Sequence, residues 1–518
     1  MTNDTPPHTR GGHSLSAEPR LLALGVATLG LYVATWVLEL AMFRNGLRHA
    51  TVIDPAVVAD QSLLAWQMTL YGLVTVMIFW AYLAVINMCR RGALAAGRAR
   101  LLALAVPVVL NLLCLIWMPR LSTDTLSYVA HGFLGLIPGQ NPLLQPPDDV
   151  HGTELGARLA AFGWHGVTDL SPYGILWTRF EIAVANLSAG NVLPAALTFK
   201  AIAMAASLGS AWMIWLALGR IYPDLQLQGT LAYLWNPLVI MEFAGEGHND
   251  ALMIFFSLAA LVACIANRPT LSIIAQLLGA MTKYISLLYL PAQLVYLWRT
   301  RRTAAQLALQ IATALAVTIA VAAVLYLPLW AGFHTFDGVL KRVDSPTAGL
   351  ASLFGSMRWL LRHSPLKPYA VQITVAVLTV AVLAFVAWSS LRVKDARDLA
   401  RTCAWTSLAF FLIAAPDYWP WYVCTPIAWL IVGEFKRLFW LALLMSFCAR
   451  LLAPIWIISL HGHMAYQVAK GTLTGVGSFL PLVALAVWCW LQWQRRRFRP
   501  PVLEDLRSEA SPVRPPSA

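Results

Sequence analysis

The stretch LSTDTLSYVAHGFLGL, residues 121–136, sets Asp124, Tyr128 and His131 at i, i+4 and i+7. On a helix that spacing puts all three on one face, opposite an apolar face suited to a membrane interface. Farther along, GEGHND (245–250) gathers Glu246, His248, Asn249 and Asp250, Lys283 interrupts two apolar runs, and PDYWP (416–420) places Asp417 and Tyr418 just before Trp421. Carboxylates in such a set can accept a proton, and cations can hold a phosphate. Together these are the requirements for moving a group from a lipid-linked phosphate donor.

The elements that must position these residues follow from composition. Of 518 residues, 59% are hydrophobic and 12% charged, against about 25% charged in a soluble domain. Soluble enzymes, nucleic-acid modules and disordered scaffolds are excluded, and an all-α polytopic membrane protein is expected. Apolar runs predict about 12–14 transmembrane helices, each crossing roughly 30 Å of hydrocarbon. The first run, residues 21–43, is too long for a signal-peptide core and is expected to remain as an anchor.

The net charge of +13 is mainly topological. The Arg and Lys of residues 90–100, 299–302, 392–401, 436–437 and 495–499 fall on one side of the predicted spans, whereas GEGHND and PDYWP on the other side hold neither. By the positive-inside bias both termini face the cytoplasm, and no nucleic-acid partner is expected. Two long loops, 119–173 and 331–369, then lie outside with interfacial helices. Residues 1–20 read as a cytoplasmic tail, 21–498 as one membrane domain and 499–518 as a disordered cytoplasmic tail. The seven Cys show no CxxC and no metal-ligand spacing.

Asp124, Glu246, His248, Asp250, Lys283, Asp417, Tyr418 and Trp421 all fall at the same outer rim, which one shared cavity explains most simply. Each also has a plainer reading. Asp124 suits a helix cap, Lys283 a side chain snorkelling to the interface, and GEGHND a tight polar turn. For Asp417 and Trp421 an aromatic interface belt comes first, with sugar stacking second. Arg450, inside a predicted span, is expected to pair internally or face water.

Asp124 with Tyr128 and Gly132, then GQNP (139–142), SPYGILW (171–177), WNP (235–237) running into GEGHNDALM (245–253), and MTKY (281–284) resemble the GT-C superfamily of membrane glycosyltransferases. Within it the likeness is to bacterial polyprenol-phosphate-mannose-dependent alpha-mannosyltransferases. It runs over about residues 119–300, and the order and spacing of the motifs carry it. The resemblance implies a GT-C-like helical bundle in the cell inner (plasma) membrane with an extracytoplasmic active site. It implies transfer of mannose or a related sugar from a polyprenyl phosphate to a hydroxyl of a glycan or lipid-linked acceptor, with inversion. An Asp in the first large outer loop is then the general base, and the matching position is Asp124.

Two departures stand out. The motif Asp follows the third predicted span where the family commonly has it after the first, and NPLL (141–144) stands where NPY is frequent. With the resemblance in place, Lys283 is the first candidate for the donor phosphate, with Arg342 and Arg358 as alternatives and Tyr128, His131 and His248 as donors of hydrogen bonds. Asn141, Tyr173, Glu246, Asn249, Asp250, Asp417 and Trp421 are candidates for the substrates. The sequence assigns no cofactor, and a divalent cation at His248, Glu246 and Asp250 is the open alternative. Competing readings are a transporter or flippase for lipid-linked saccharides, which would favour midplane charges and related halves, and a ligase or polymerase using a diphosphate donor.

Overall fold

The computed structural model describes residues 17–42, 61–95, 97–164, 166–341, 352–416, 418–458 and 464–497. Arg342, Asp417, most of the predicted N-terminal tail and all of the C-terminal one lie outside them. The described residues form helices with no named strand: α1 (Ala17–Met42), α2 (Gln61–Arg90), α3 (Gly97–Ile116), α4 (Asp124–Leu134), α5 (Glu154–Ala161), α6 (Ile175–Leu187), α7 (Val192–Ile221), α8 (Gln226–Leu234), α9 (Pro237–Ile240), α10 (Asp250–Ile265), α11 (Pro269–Thr282), α12 (Leu290–Thr300), α13 (Ala304–Tyr326), α14 (Asp337–Leu340), α15 (Leu353–Arg362), α16 (Ala370–Ser390), α17 (Ala396–Ala409), α18 (Cys424–Gly433), α19 (Phe435–Ile458) and α20 (Met464–Arg497).

This is an all-α, multi-pass membrane protein. Six helices among the described residues are long and apolar enough to cross a bilayer, or seven if one bent pair counts as a single span. Several apolar runs of the sequence become shorter pieces. At 1.5 Å per residue the 14-residue α11 reaches only about 21 Å, because Lys283 leaves it in an extended conformation and a 3-10 stretch, Tyr284–Tyr289, follows. The break at Glu246–Asn249 turns the chain by 117° between Pro237–Gly245 and α10. Such interruptions suit a site, since irregular backbone at membrane depth must line a cavity or be buried in protein.

α4 is the element that carries Asp124, and it is covered on all sides. Thr125 through Gly132 and Leu134 are buried, packed against α6 and α7. The apolar face anticipated for lipid is taken up by these two helices. Close approach to α6 depends on Gly132, where an added Cβ would sit 2.1 Å from the Glu181 carbonyl oxygen. Gly132→Ala is therefore expected to cost about 1–3 kcal/mol by overpacking, read as a lower unfolding temperature in detergent. An unchanged transition would show that the helices have room to separate. The interfacial pattern appears instead in α15, where Trp359 and Leu360 are exposed while Phe354 and Arg358 are buried.

Candidate active site

The local sequence explains how Asp124 is held. After α3 the chain turns back through Pro119–Thr123, and the buried Glu246 carboxylate fastens this turn. Its Oε2 accepts the backbone N–H groups of Arg120, Leu121 and Ser122 at 3.1, 3.2 and 3.1 Å. The Thr125 hydroxyl donates to the Glu246 carbonyl at 2.5 Å. Gly247, with φ of +81°, lets the chain reverse there without a side chain striking Thr125 or Lys200. Lys200 donates to the carbonyls of Cys114 and Trp117, so the end of α3 is fixed as well.

Around the Asp124 carboxylate, the Tyr173 hydroxyl donates to Oδ2 at 3.0 Å, and His248 Nδ1 lies 3.5 Å from the same oxygen. The other ring nitrogen of His248, Nε2, is 3.3 Å from Glu242 Oε2. His248 is 0% exposed and Asp124 25%, which decides which of the two an incoming substrate can touch. The imidazole stacks on Trp421 with centroids 3.9 Å apart and planes 14° off parallel. Burial acts to raise the Asp124 pKa. The contact and charge of His248, the Tyr173 hydroxyl and the Lys283 charge outweigh it and hold the carboxyl below its ordinary value.

Lys283 stands beside this group. Its Nζ donates to both Asp250 oxygens at 2.9 and 2.8 Å and lies 4.3 Å from the Tyr422 ring centre and 5.9 Å from that of Tyr173. Tyr173 thus touches both halves of the site: its hydroxyl holds the base candidate and its face meets the cation. Beneath it, Tyr128 packs edge-on against Tyr173, Trp177 and Phe199.

Residues 22–300, more than half of the chain, match the family model described as alpha-(1->6)-mannopyranosyltransferase, N-terminal domain. The chain belongs to this mannosyltransferase family. It is 25% identical over 398 residues to alpha-(1->6)-mannopyranosyltransferase A of Mycobacterium tuberculosis, a match covering 70% of this chain and 72% of that protein. The GT-C-like mannosyltransferase resemblance is thereby established, and the protein is a membrane glycosyltransferase. The family match takes in Asp124, Tyr173, Glu242, His248, Asp250 and Lys283.

Within this mannosyltransferase framework the predicted residues separate. Asp124, Tyr173, His248, Asp250, Lys283 and Trp421 come together. Trp421, for which a lipid-facing belt is the first sequence expectation, is 8% exposed and covers His248. Glu246, expected among the substrate-binding residues, has its carboxylate engaged by backbone N–H groups of the Arg120–Ser122 turn. Asn141 is likewise occupied: its Nδ2 donates to the Leu329 carbonyl at 2.8 Å, tying the first outer loop to the end of the span that contains α13, and its Oδ1 accepts the Leu143 N–H at 3.0 Å. His131 points into the protein toward Glu181, 4.0 Å away, where burial lowers its pKa to about 4. Asn249 is buried at the start of α10 with no amide partner among the described residues. Arg358 is buried on α15, whose cap residue Ser352 donates to the Pro416 carbonyl. No cluster of three or more His, Cys, Asp or Glu able to hold a metal occurs among the described residues.

Sequence reasoning passed over Glu242 and Glu39, whereas Arg450, expected to pair internally or face water, pairs internally with both. Arg450 Nη2 donates to Glu39 Oε1 at 2.6 Å, and Nη1 lies 3.9 Å from Glu242 Oε1. The available signal was Glu39 itself, an acid inside the first apolar run. An acid there calls for a cation from another helix.

Proposed function

We propose that the protein transfers a sugar, mannose by analogy with its family, from a polyprenyl-phosphate donor to a hydroxyl of a glycan or lipid-linked acceptor. The reaction takes place at the extracytoplasmic face of the inner membrane, inverts the anomeric carbon and uses Asp124 as general base. The observation that carries this reading is the partly exposed Asp124 carboxylate, oriented by Tyr173 and His248 and set beside the Lys283–Asp250 pair.

In this mechanism the acceptor O–H points at Asp124. As its oxygen forms a bond to the anomeric carbon, the bond from that carbon to the phosphate oxygen breaks. The proton passes to Asp124, and the electron pair leaves with the polyprenyl phosphate. Asp124, held ionised, is ready as acceptor without prior loss of a proton. Charge grows on the departing phosphate, so a nearby cation stabilises the transition state more than the ground state. The Lys283 ammonium carries three N–H groups; two bonds to Asp250 leave one for a phosphate oxygen. Tyr173 and Tyr422, on which Lys283 rests, supply aromatic surface for sugar and lipid. The side of the membrane is inferred from the positive-inside bias of the basic loops, which the sequence pattern puts across the predicted spans from GEGHND.

The test uses purified protein in liposomes, given a panel of polyprenyl-phosphate sugars and nucleotide sugars. Glycosylated acceptor from polyprenyl-phosphate mannose is the expected product. Transfer from a nucleotide sugar alone, or passage of donor across the bilayer without transfer, would overturn the reading.

A further inference from the structure

Behind Asp124 the fold buries a row of ionisable side chains that general-base chemistry alone does not require. Starting at the site, the order is Asp124, His248, Glu242, Arg450 and Glu39, with successive separations of 3.5, 3.3, 3.9 and 2.6 Å. The last four are between 0 and 3% exposed. They come from the bend before α10, the π-helical turn Met241–Gly245, α19 and α1, while Asp124 opens α4. The signs alternate along the row, and Tyr71 of α2 lies under the Arg450 guanidinium at 5.4 Å.

We propose that Glu242, Arg450 and Glu39 are positioning residues for the transfer: they hold His248 as an imidazolium, and through it fix the aim and charge of Asp124. This rests on the reading of Asp124 as the base. Both ring nitrogens of His248 face carboxylate oxygens. A neutral imidazole would turn a lone pair toward one of them, whereas the doubly protonated ring turns an N–H toward each, in ion-pair contacts of 3.5 and 3.3 Å. Stacking on Trp421 fixes the plane of the ring, so its two nitrogens cannot swing away. Glu242 is the counter-ion that the charged ring needs in a dry interior, and Arg450 prevents Glu242 from remaining a bare anion. Glu39 completes the neutralisation of Arg450. Desolvating each of these ions costs several kcal/mol, and apolar side chains would hold α1 against α19 more cheaply. Intramembrane charges are usually kept for function, and here the row ends on the base.

The other ionisable groups around Asp124 and His248 are Tyr128, Tyr173, Glu181, Asp250 and Lys283 on the Asp124 side, with Glu246 and Lys200 beside the bend. On the Glu242 side stand Arg450, Glu39, Tyr71 and the Cys424 thiol, and the carboxylate beside Nε2 is that of Glu242, 3.3 Å away. Removing its charge makes the imidazolium easier to deprotonate, which moves the alkaline limb of the rate profile to lower pH.

The experiment measures kcat/KM against pH for the full-length wild type, Glu242→Gln, Glu242→Asp and Glu39→Gln, with unfolding temperatures recorded in detergent. Glu242→Gln is expected to move the alkaline limb down by at least one pH unit, a tenfold loss on that limb, and Glu242→Asp to restore it. In Glu39→Gln, Arg450 is left to Glu242 alone and draws it away from His248, so the limb moves the same way by a smaller amount. If Glu242→Gln does not fold, Glu39→Gln carries the test. A folded variant of either kind whose profile keeps the wild-type shape, whatever its height, overturns the proposal. That outcome is distinct from failure of the base assignment, which would show as an active Asp124→Asn.

Discussion

Asp124→Asn is expected to lower the rate of sugar transfer by about 10²–10⁴-fold while leaving folding and membrane insertion intact. The amide matches the carboxylate in size and keeps an oxygen that accepts the Tyr173 hydroxyl, so the local packing survives. What it lacks is an affinity for the acceptor proton. Single-turnover measurement at saturating donor isolates the chemical step, and retention of the wild-type rate would sink the mechanism. The wild-type pH profile gives an independent check. A carboxyl whose pKa lies below its ordinary value stays ionised to lower pH. The acid limb of kcat/KM should therefore fall below about pH 4, the usual Asp value, and a limb near pH 6 would assign the titration to another group.

Local patterns in the sequence carried much of the site. The helix from Asp124, the bend at GEGHND and the turn at Lys283 are each marked by polar residues in an apolar context, and the structure brings all three together. What these patterns did not reveal was the partner of each side chain. Glu246 and Asp250 stand four positions apart in one loop, yet the first bonds a backbone turn and the second an ammonium. The difference lies in where α3 ends and where Lys283 returns, which is a matter of tertiary packing. The bond from Asn141 to the Leu329 carbonyl was not legible, because it joins segments far apart in the chain. Trp421 read as belt because its place against His248 depends on how the segment before α18 folds over the bend. The pairing of Arg450 with Glu39 and Glu242 crosses almost the whole chain and leaves no spacing to detect. The helical class was plain from composition, but division of apolar runs into short pieces was not, since it depends on irregular turns that only packing can satisfy.

The second large effect separates the two possible duties of Lys283. Asp250 is 1% exposed, and Lys283 is its ion-pair partner. Lys283→Met strands a buried carboxylate, and breaking such a pair by removing one partner costs about 3–5 kcal/mol. The single variant should unfold at clearly lower temperature and lose transfer activity, but its inactivity alone would say nothing about phosphate. Lys283→Met combined with Asp250→Asn removes the stranded charge and is expected to recover most of the stability. If the ammonium steadies the departing phosphate, the double variant stays at least about 10²-fold slow, the scale for loss of one preorganised electrostatic contact, despite its restored fold. If Lys283 serves only to neutralise Asp250, activity returns with stability, and the phosphate must be held by another cation. Asp250→Asn alone completes the cycle: it removes the carboxylate charge that competes for the ammonium, so donor binding should tighten in that variant if Lys283 and the phosphate meet, and stay unchanged if they do not.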